Sequence, residues 1–165
     1  MSERKASFAA LADHRTRVLV LGSLPGERSL AARQYYANPT NQFWALMGEV
    51  LEEDLAPLPY DLRLARLGQR GVGLWDVFAD ARRNGSLDAS IRDSRENAFV
   101  DLARTLPAIK ALAFNGGTAA RIGRRQLGRD PAYAVIDLPS SSAAYCRINF
   151  AAKAQRWKAL REFFD

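Results

Sequence analysis

The sequence contains one cysteine, Cys146, and one histidine, His14, in 165 residues. A single thiol excludes an internal disulfide framework, a cysteine-ligated zinc site and an iron–sulfur cluster. A single imidazole excludes histidine-rich metal sites and argues against a serine-hydrolase triad. Any chemistry is therefore expected to be metal-free. No uncharged run approaches the length of a membrane span, and the first residues show no signal-peptide pattern. An intracellular, cytoplasmic protein is expected. Lysine is scarce as well, with only Lys5, Lys110, Lys153 and Lys158 against 20 arginines.

What is present suits one globular domain spanning residues 1–165. The chain is 48% hydrophobic and 25% charged, enough to bury a core, and carries a formal net charge of +6. That charge leaves a polyanionic partner and a plain compositional bias equally open. No repeat or low-complexity tract interrupts the chain.

Short apolar runs alternate with helical spacing. Val18 to Leu21 reads as a buried parallel strand, followed by strands around Val72 to Leu74, Ile109 to Phe114 and Ala132 to Ile136. Helices are expected over Phe43 to Leu51, Asp61 to Leu67, Asn97 to Leu106 and Thr118 to Leu127. The first seventeen residues read as a short helix or arm. In the last helix Phe150, Ala154, Trp157, Leu160 and Phe164 form a core stripe, with Lys153, Arg156 and Lys158 on other faces. The pattern predicts a three-layer α/β/α sandwich around a short, mainly parallel four-stranded sheet.

Ligands of open parallel sheets bind beyond the carboxyl ends of the strands. Three expected strands run into unusual loops there: residues 22–26 (GSLPG), 115–117 (NGG) and 137–144 (DLPSSSAA). Residues 35–44 (YYANPTNQFW) add two asparagines and four aromatics in ten positions. Trp44 suits a buried helix start, leaving Tyr35, Tyr36 and Phe43 to wall a pocket.

These residues resemble the motifs of the uracil-DNA glycosylase superfamily. The ordered set is Gly22-Ser23-Leu24-Pro25-Gly26, Asn38-Pro39-Thr40-Asn41-Gln42-Phe43-Trp44 and Leu138-Pro139-Ser140-Ser141-Ser142. Gly73-Leu74-Trp75-Asp76-Val77 and Gly85-Ser86-Leu87-Asp88 point to its hypoxanthine (deoxyinosine) branch. The resemblance implies metal-free, cofactor-free excision of a deaminated base from DNA. It implies that the 22–26 loop, with Ser23 and Leu24, activates water beside the base. Phe43 would stack on the base, Asn115 would read its edge, and Asn41 would be catalytic. The loop from Leu138 to Ala144, with Ser140, Ser141 and Ser142, would enter the minor groove.

Two departures stand out. The first loop offers no carboxylate or amide at Ser23-Leu24, and Leu138 stands where several relatives carry histidine. Water activation must then come from elsewhere. Ser142 occupies the usual place of the intercalating apolar side chain, leaving Tyr145 or Arg147 to substitute.

The chemistry tolerates these absences. Cleaving an N-glycosidic bond makes an oxocarbenium-like sugar and an anionic base, so water need only be oriented and the anion met by preorganised donors. The amide of Asn41 suits the first task, although helix capping is its alternative role. Asn38 is the runner-up. Asn115 offers a donor and acceptor side by side, with a left-handed turn as the alternative. No lysine falls in the rim loops, which predicts a monofunctional hydrolase rather than a Schiff-base lyase. Arg28, Arg33, Arg82, Arg83, Arg121, Arg124 and Arg125 are candidate phosphate contacts. The protein is expected to act as a monomer on DNA. Two rival readings are a nucleotide- or flavin-binding domain and a non-catalytic nucleic-acid-binding module. The first lacks the glycine-lysine signature of a phosphate loop. The second leaves the amide and aromatic cluster unexplained.

Overall fold

A computed structural model of the chain describes residues 3–129 and 132–164. Its core is a sheet of four parallel strands, β2 (Val18–Gly22), β3 (Val72–Asp76), β6 (Ala111–Asn115) and β7 (Ala134–Leu138), in the order β3-β2-β6-β7. The two central strands, VLVLG and ALAFN, are buried at every position, as expected of strands covered on both faces.

Alternation along β2 divides the interior in two. Val18 and Val20 pack with α2 (Phe43–Leu51) and α6 (Phe150–Trp157), while Leu19 and Leu21 pack with α4 (Phe99–Thr105) and α5 (Gly117–Leu127). The three-layer α/β/α sandwich expected from the sequence is the architecture found. The remaining helices are α1 (Glu27–Ala32) and α3 (Tyr60–Gln69).

The predicted strands end early: β3 and β6 continue to Asp76 and Asn115, and β7 begins at Ala134 and runs to Leu138. These extra residues place Gly22, Asp76, Asn115 and Leu138 together at the carboxyl rim. The chain passes from β2 to β3 on one side and later to β6 on the other, so strand order reverses at β2. Such a switch point opens a crevice.

The amino-terminal segment is neither helix nor loose arm. Strand β1 (Arg4–Ala6) pairs antiparallel with β4 (Phe78–Arg82), which pairs with β5 (Arg92–Glu96) in a second, three-stranded sheet. Strand β5 reads RDSRE and is exposed throughout. Ion pairs lie across this sheet, with Asp80 2.6 Å from Arg4 and 3.0 Å from Arg95. The last helix also differs, since α6 tightens into a 3-10 turn over Lys158–Phe163.

One glycine on α5 shows how closely the layers meet. A Cβ on Gly123 would lie 2.1 Å from Cε1 of Phe114, a fully buried ring edge-on to Phe99. Both rings are fully buried. Gly123→Ala is expected to lower stability by about 1–3 kcal/mol despite the better helix former, because overpacking a dense core outweighs the propensity gain. Urea denaturation checks this, and an unchanged midpoint would show that the Phe114 ring has room to move.

Candidate active site

The carboxyl ends of the four parallel strands open into a cavity of about 470 Å3, within the range of roughly 300–1,000 Å3 usual for small-molecule sites. Its floor is built by Gly22, Asp76 and Asn115. The 22–26 loop forms one wall, Tyr35 and Tyr36 another, and the loop from Ser140 to Arg147 part of the rim. All three rim loops singled out by sequence therefore meet at one place.

Tyr36 supplies the aromatic face. Its backbone is left-handed, φ 55°, and its ring stacks on Phe43 with centroids 3.9 Å apart and planes at 14°. Phe43 is 0% exposed and does not reach the cavity. The expectation that Phe43 stacks on the base is corrected: the first turn of α2 turns it into the core, and it backs the Tyr36 ring. The Tyr36 hydroxyl lies beside Gly22, where a Cβ would approach it to 3.2 Å and Oδ1 of Asp76 to 2.7 Å. Only a glycine leaves this floor open.

Asn41 lies on the cavity wall just before α2, and its Oδ1 accepts from the backbone N–H of Phe43 at 3.0 Å. This is an Asx turn leading into α2, whose N-cap is Gln42 and carries no side-chain cap, so Asn41 lines the cavity without capping the helix. Asn38 is more committed to its turn, with Oδ1 accepting from the backbone and hydroxyl of Thr40.

Asn115 reaches the cavity, but not with a free amide. Its Nδ2 donates to Oγ of Ser141 at 2.9 Å and to the Tyr36 hydroxyl at 3.2 Å, while Oδ1 accepts from the backbone N–H of Ser141 at 2.9 Å. Both amide hydrogens are engaged, so the donor–acceptor pair expected to read a base edge is not open to one. Ser141 also touches the cavity but, 1% exposed, it is the buried partner that locks Asn115 rather than an exposed contact. Its carbonyl accepts from Gln42, and Trp157 donates to the neighbouring carbonyl of Pro139. Ser140, Ser142, Tyr145 and Arg147 remain on the cavity rim. Ser140 packs against Gly116, whose φ of 99° favours glycine.

Lys153 also departs from expectation. It is 1% exposed, not on an outer face, and its Nζ donates to Oε1 of Gln42 at 2.8 Å and to the carbonyl of Ser142 at 3.2 Å. Burial lowers its pKa. The amine braces the rim loop from behind and is not among the groups lining the cavity.

The carboxylate that the first loop lacks arrives from elsewhere. Ser23 donates to Oδ1 of Asp88 at 2.6 Å, and Asp76 closes the floor from the end of β3. Burial, chiefly, and the neighbouring Asp88 push the Asp76 carboxyl up to about 7, against the pull of Arg83. Burial likewise raises Asp88, opposed by Ser23 and Arg83. The Tyr36 phenol is pushed up by burial and by Asp76. Sequence reasoning assigned neither aspartate a role, although both lie in the segments GLWDV and GSLD that carried the resemblance.

Leu24 is buried and still touches the cavity. Behind it, buried Arg83 donates to the carbonyls of Gly85, Leu24 and Pro25, fixing the first loop. Arg83 is therefore no phosphate contact. Arg82, Arg124 and Arg125 pair with Asp93, Asp137 and Glu96, whereas Arg28 and Arg147 line the cavity. No group of three metal-ligating side chains occurs among the described residues, and none of their helices is long and apolar enough to cross a membrane.

A cleft of about 470 Å3 with an aromatic wall, amides and carboxyls, opening at the switch point of a parallel sheet, defines an α/β protein with its site at the carboxyl ends of the strands. The sequence profile of the uracil DNA glycosylase superfamily matches residues 8–161, and the chain belongs to that superfamily. It is 38% identical over 156 residues to a hypoxanthine DNA glycosylase of Methanosarcina acetivorans, covering 94% of this chain and 97% of the relative. A hypoxanthine DNA glycosylase of Methanosarcina barkeri is 42% identical over 113 residues, covering 68% and 72%. The solution NMR structure of a candidate uracil DNA glycosylase from M. acetivorans superposes with a TM-score of 0.86 at 37% identity, covering 98% of this chain and 99% of that one.

Proposed function

We propose that the chain is a monofunctional DNA glycosylase that hydrolyses the N-glycosidic bond of a deaminated base, hypoxanthine or uracil, and leaves an abasic site for base excision repair. The observation that carries this reading is the Tyr36-walled cavity floored by Gly22, Asp76 and Asn115, with the 138–144 loop at its edge. A base swung out of a duplex needs a planar face to stack on and a dry floor beneath it. The likeness to relatives named for hypoxanthine excision supports the substrate class.

Bond cleavage leaves the electron pair on the base, and water adds to C1′ of the sugar. Asn41 orients that water or a base edge through its amide. The 22–26 loop, held by Arg83, shapes the leaving-base side. Ser140, Ser142, Tyr145 and Arg147 contact the DNA backbone and groove, with Tyr145 or Arg147 filling the space of the extruded base. The enzyme works as a monomer on intracellular DNA and needs no metal or cofactor. A nucleotide-binding role is disfavoured, because the 22–26 loop lacks the glycine-lysine signature of a phosphate loop.

Oligonucleotides carrying one hypoxanthine, uracil or undamaged base, incubated with enzyme and EDTA, test this directly. Strand scission is expected only for the deaminated bases and only after alkali. Scission without alkali would indicate a lyase. A gel shift with no abasic site would favour the non-catalytic binding module.

A further inference from the structure

Strand β3 carries Asp76 into the cavity floor, where it is 4% exposed. Its Oδ2 has no hydrogen-bond partner among the described residues, and its Oδ1 sits over the bare Cα of Gly22. The ionisable groups that bear on it are Asp88 and Arg83 from the β4–β5 connection and Tyr35 and Tyr36 from the α1–α2 connection. Asp88 disfavours charge on Asp76. Arg83 favours it, but its own guanidinium is spent on three loop carbonyls. A buried carboxylate without a partner is disfavoured, so the group holds its proton up to about pH 7.

We infer that Asp76, in its neutral form, donates a hydrogen bond to the carbonyl oxygen of the extruded base, the atom that deamination installs in place of an amino group. This rests on the glycosylase reading above. Hypoxanthine and uracil present that carbonyl where adenine and cytosine present an amine. A neutral carboxyl has an O–H to offer a carbonyl, whereas an ionised one has acceptors only and suits an amine. The protonation state of Asp76 therefore sets which kind of base edge the floor accepts. Asn115 cannot take this role, since both its amide hydrogens are engaged.

The same contact helps the base leave. As the N-glycosidic bond breaks, its electron pair enters the ring and negative charge spreads to the carbonyl oxygen. A donor fixed there binds the transition state more tightly than the ground state. Water supplies hydroxide to C1′ and its remaining proton reaches the base through solvent, so Asp76 keeps its own proton throughout.

Single-turnover excision of hypoxanthine and uracil, measured between about pH 5.5 and 8, tests the inference. Wild-type rates should fall by about tenfold or more from pH 6 to pH 8 as Asp76 ionises. Asp76→Asn keeps an N–H donor without a titratable proton. Its rate at pH 6 should stay within about tenfold of wild type, and its profile should be flat. Asp76→Leu should lose about 100-fold or more at every pH. A flat wild-type profile overturns the inference. So does an Asp76→Asn variant, folded by circular dichroism, that keeps the alkaline fall or is inactive throughout. Should Asp76→Asn not fold, the wild-type profile decides alone. A wild type that releases neither base at any pH would instead overturn the glycosylase reading itself.

Discussion

Replacing Asn41 with alanine is expected to slow base release by roughly two to three orders of magnitude, the scale of losing one group that acts on the transition state. The residue holds two positions at once. Its Oδ1 accepts from the Phe43 backbone at the start of α2, which fixes the side chain, and the same amide lines the cavity. A rotamer locked by the backbone is already placed when substrate arrives, so little ordering remains to be done in the transition state. The structural share of the substitution is small, about 1 kcal/mol for the lost hydrogen bond from the Phe43 backbone. Asn41→Asp separates the two roles. It preserves the acceptor for Phe43 but brings a negative charge to a cavity that already holds the carboxyl groups of Asp76 and Asp88. Single-turnover rates on a hypoxanthine-containing duplex should fall in both variants, while thermal stability falls measurably in the alanine variant alone. Near-wild-type rates in Asn41→Ala would move the role to Asn38 or to the backbone of the 22–26 loop.

The parallel sheet was legible because its strands are apolar without interruption, and the loops stood out because glycine and asparagine follow each strand directly. The second sheet was not legible. Strand β5 has no buried residue and no apolar alternation, so its pairing exists only through β4 and the ion pairs around Asp80. In the site, the segments were visible but the division of labour among their residues was not. Tyr36 and Phe43 are both aromatic and stack on each other, and only their tertiary placement decides that one lines the cavity and the other is buried behind it. Lys153 lies three residues after Phe150 and four before Trp157, on the inward stripe by helical spacing. Its charge obscured that placement, which needs Gln42 from a distant helix start to be tolerated. Asp76 and Asp88 matter through burial and mutual proximity, quantities that arise only when β3 and the turn after β4 close around Gly22. The partner that locks Asn115 lies 26 residues away, beyond any local pattern.

That lock predicts a sharp difference between two substitutions at Asn115. Asn115→Ala strips the buried Ser141 of partners for both its backbone N–H and its hydroxyl, and removes the donor to Tyr36. Each buried group left unpaired costs about 1–3 kcal/mol. The rim loop then shifts relative to the floor, and a displacement of about 1 Å is enough to cost roughly 100-fold in rate. Asn115→Asp keeps the shape. Its carboxylate accepts from the Ser141 N–H, and the hydroxyls of Ser141 and Tyr36 can each turn to donate to it. The tether survives, at the expense of a further negative charge near Asp76 that holds Asp76 more firmly in its neutral form. Asn115→Asp is therefore expected to stay within about tenfold of wild type near pH 6, while Asn115→Ala loses about 100-fold together with thermal stability. Single-turnover rates and melting temperatures of the pair decide the matter. An Asn115→Asp variant that is folded yet as inactive as Asn115→Ala would mean that one amide hydrogen leaves Ser141 or Tyr36 on binding and contacts the base directly.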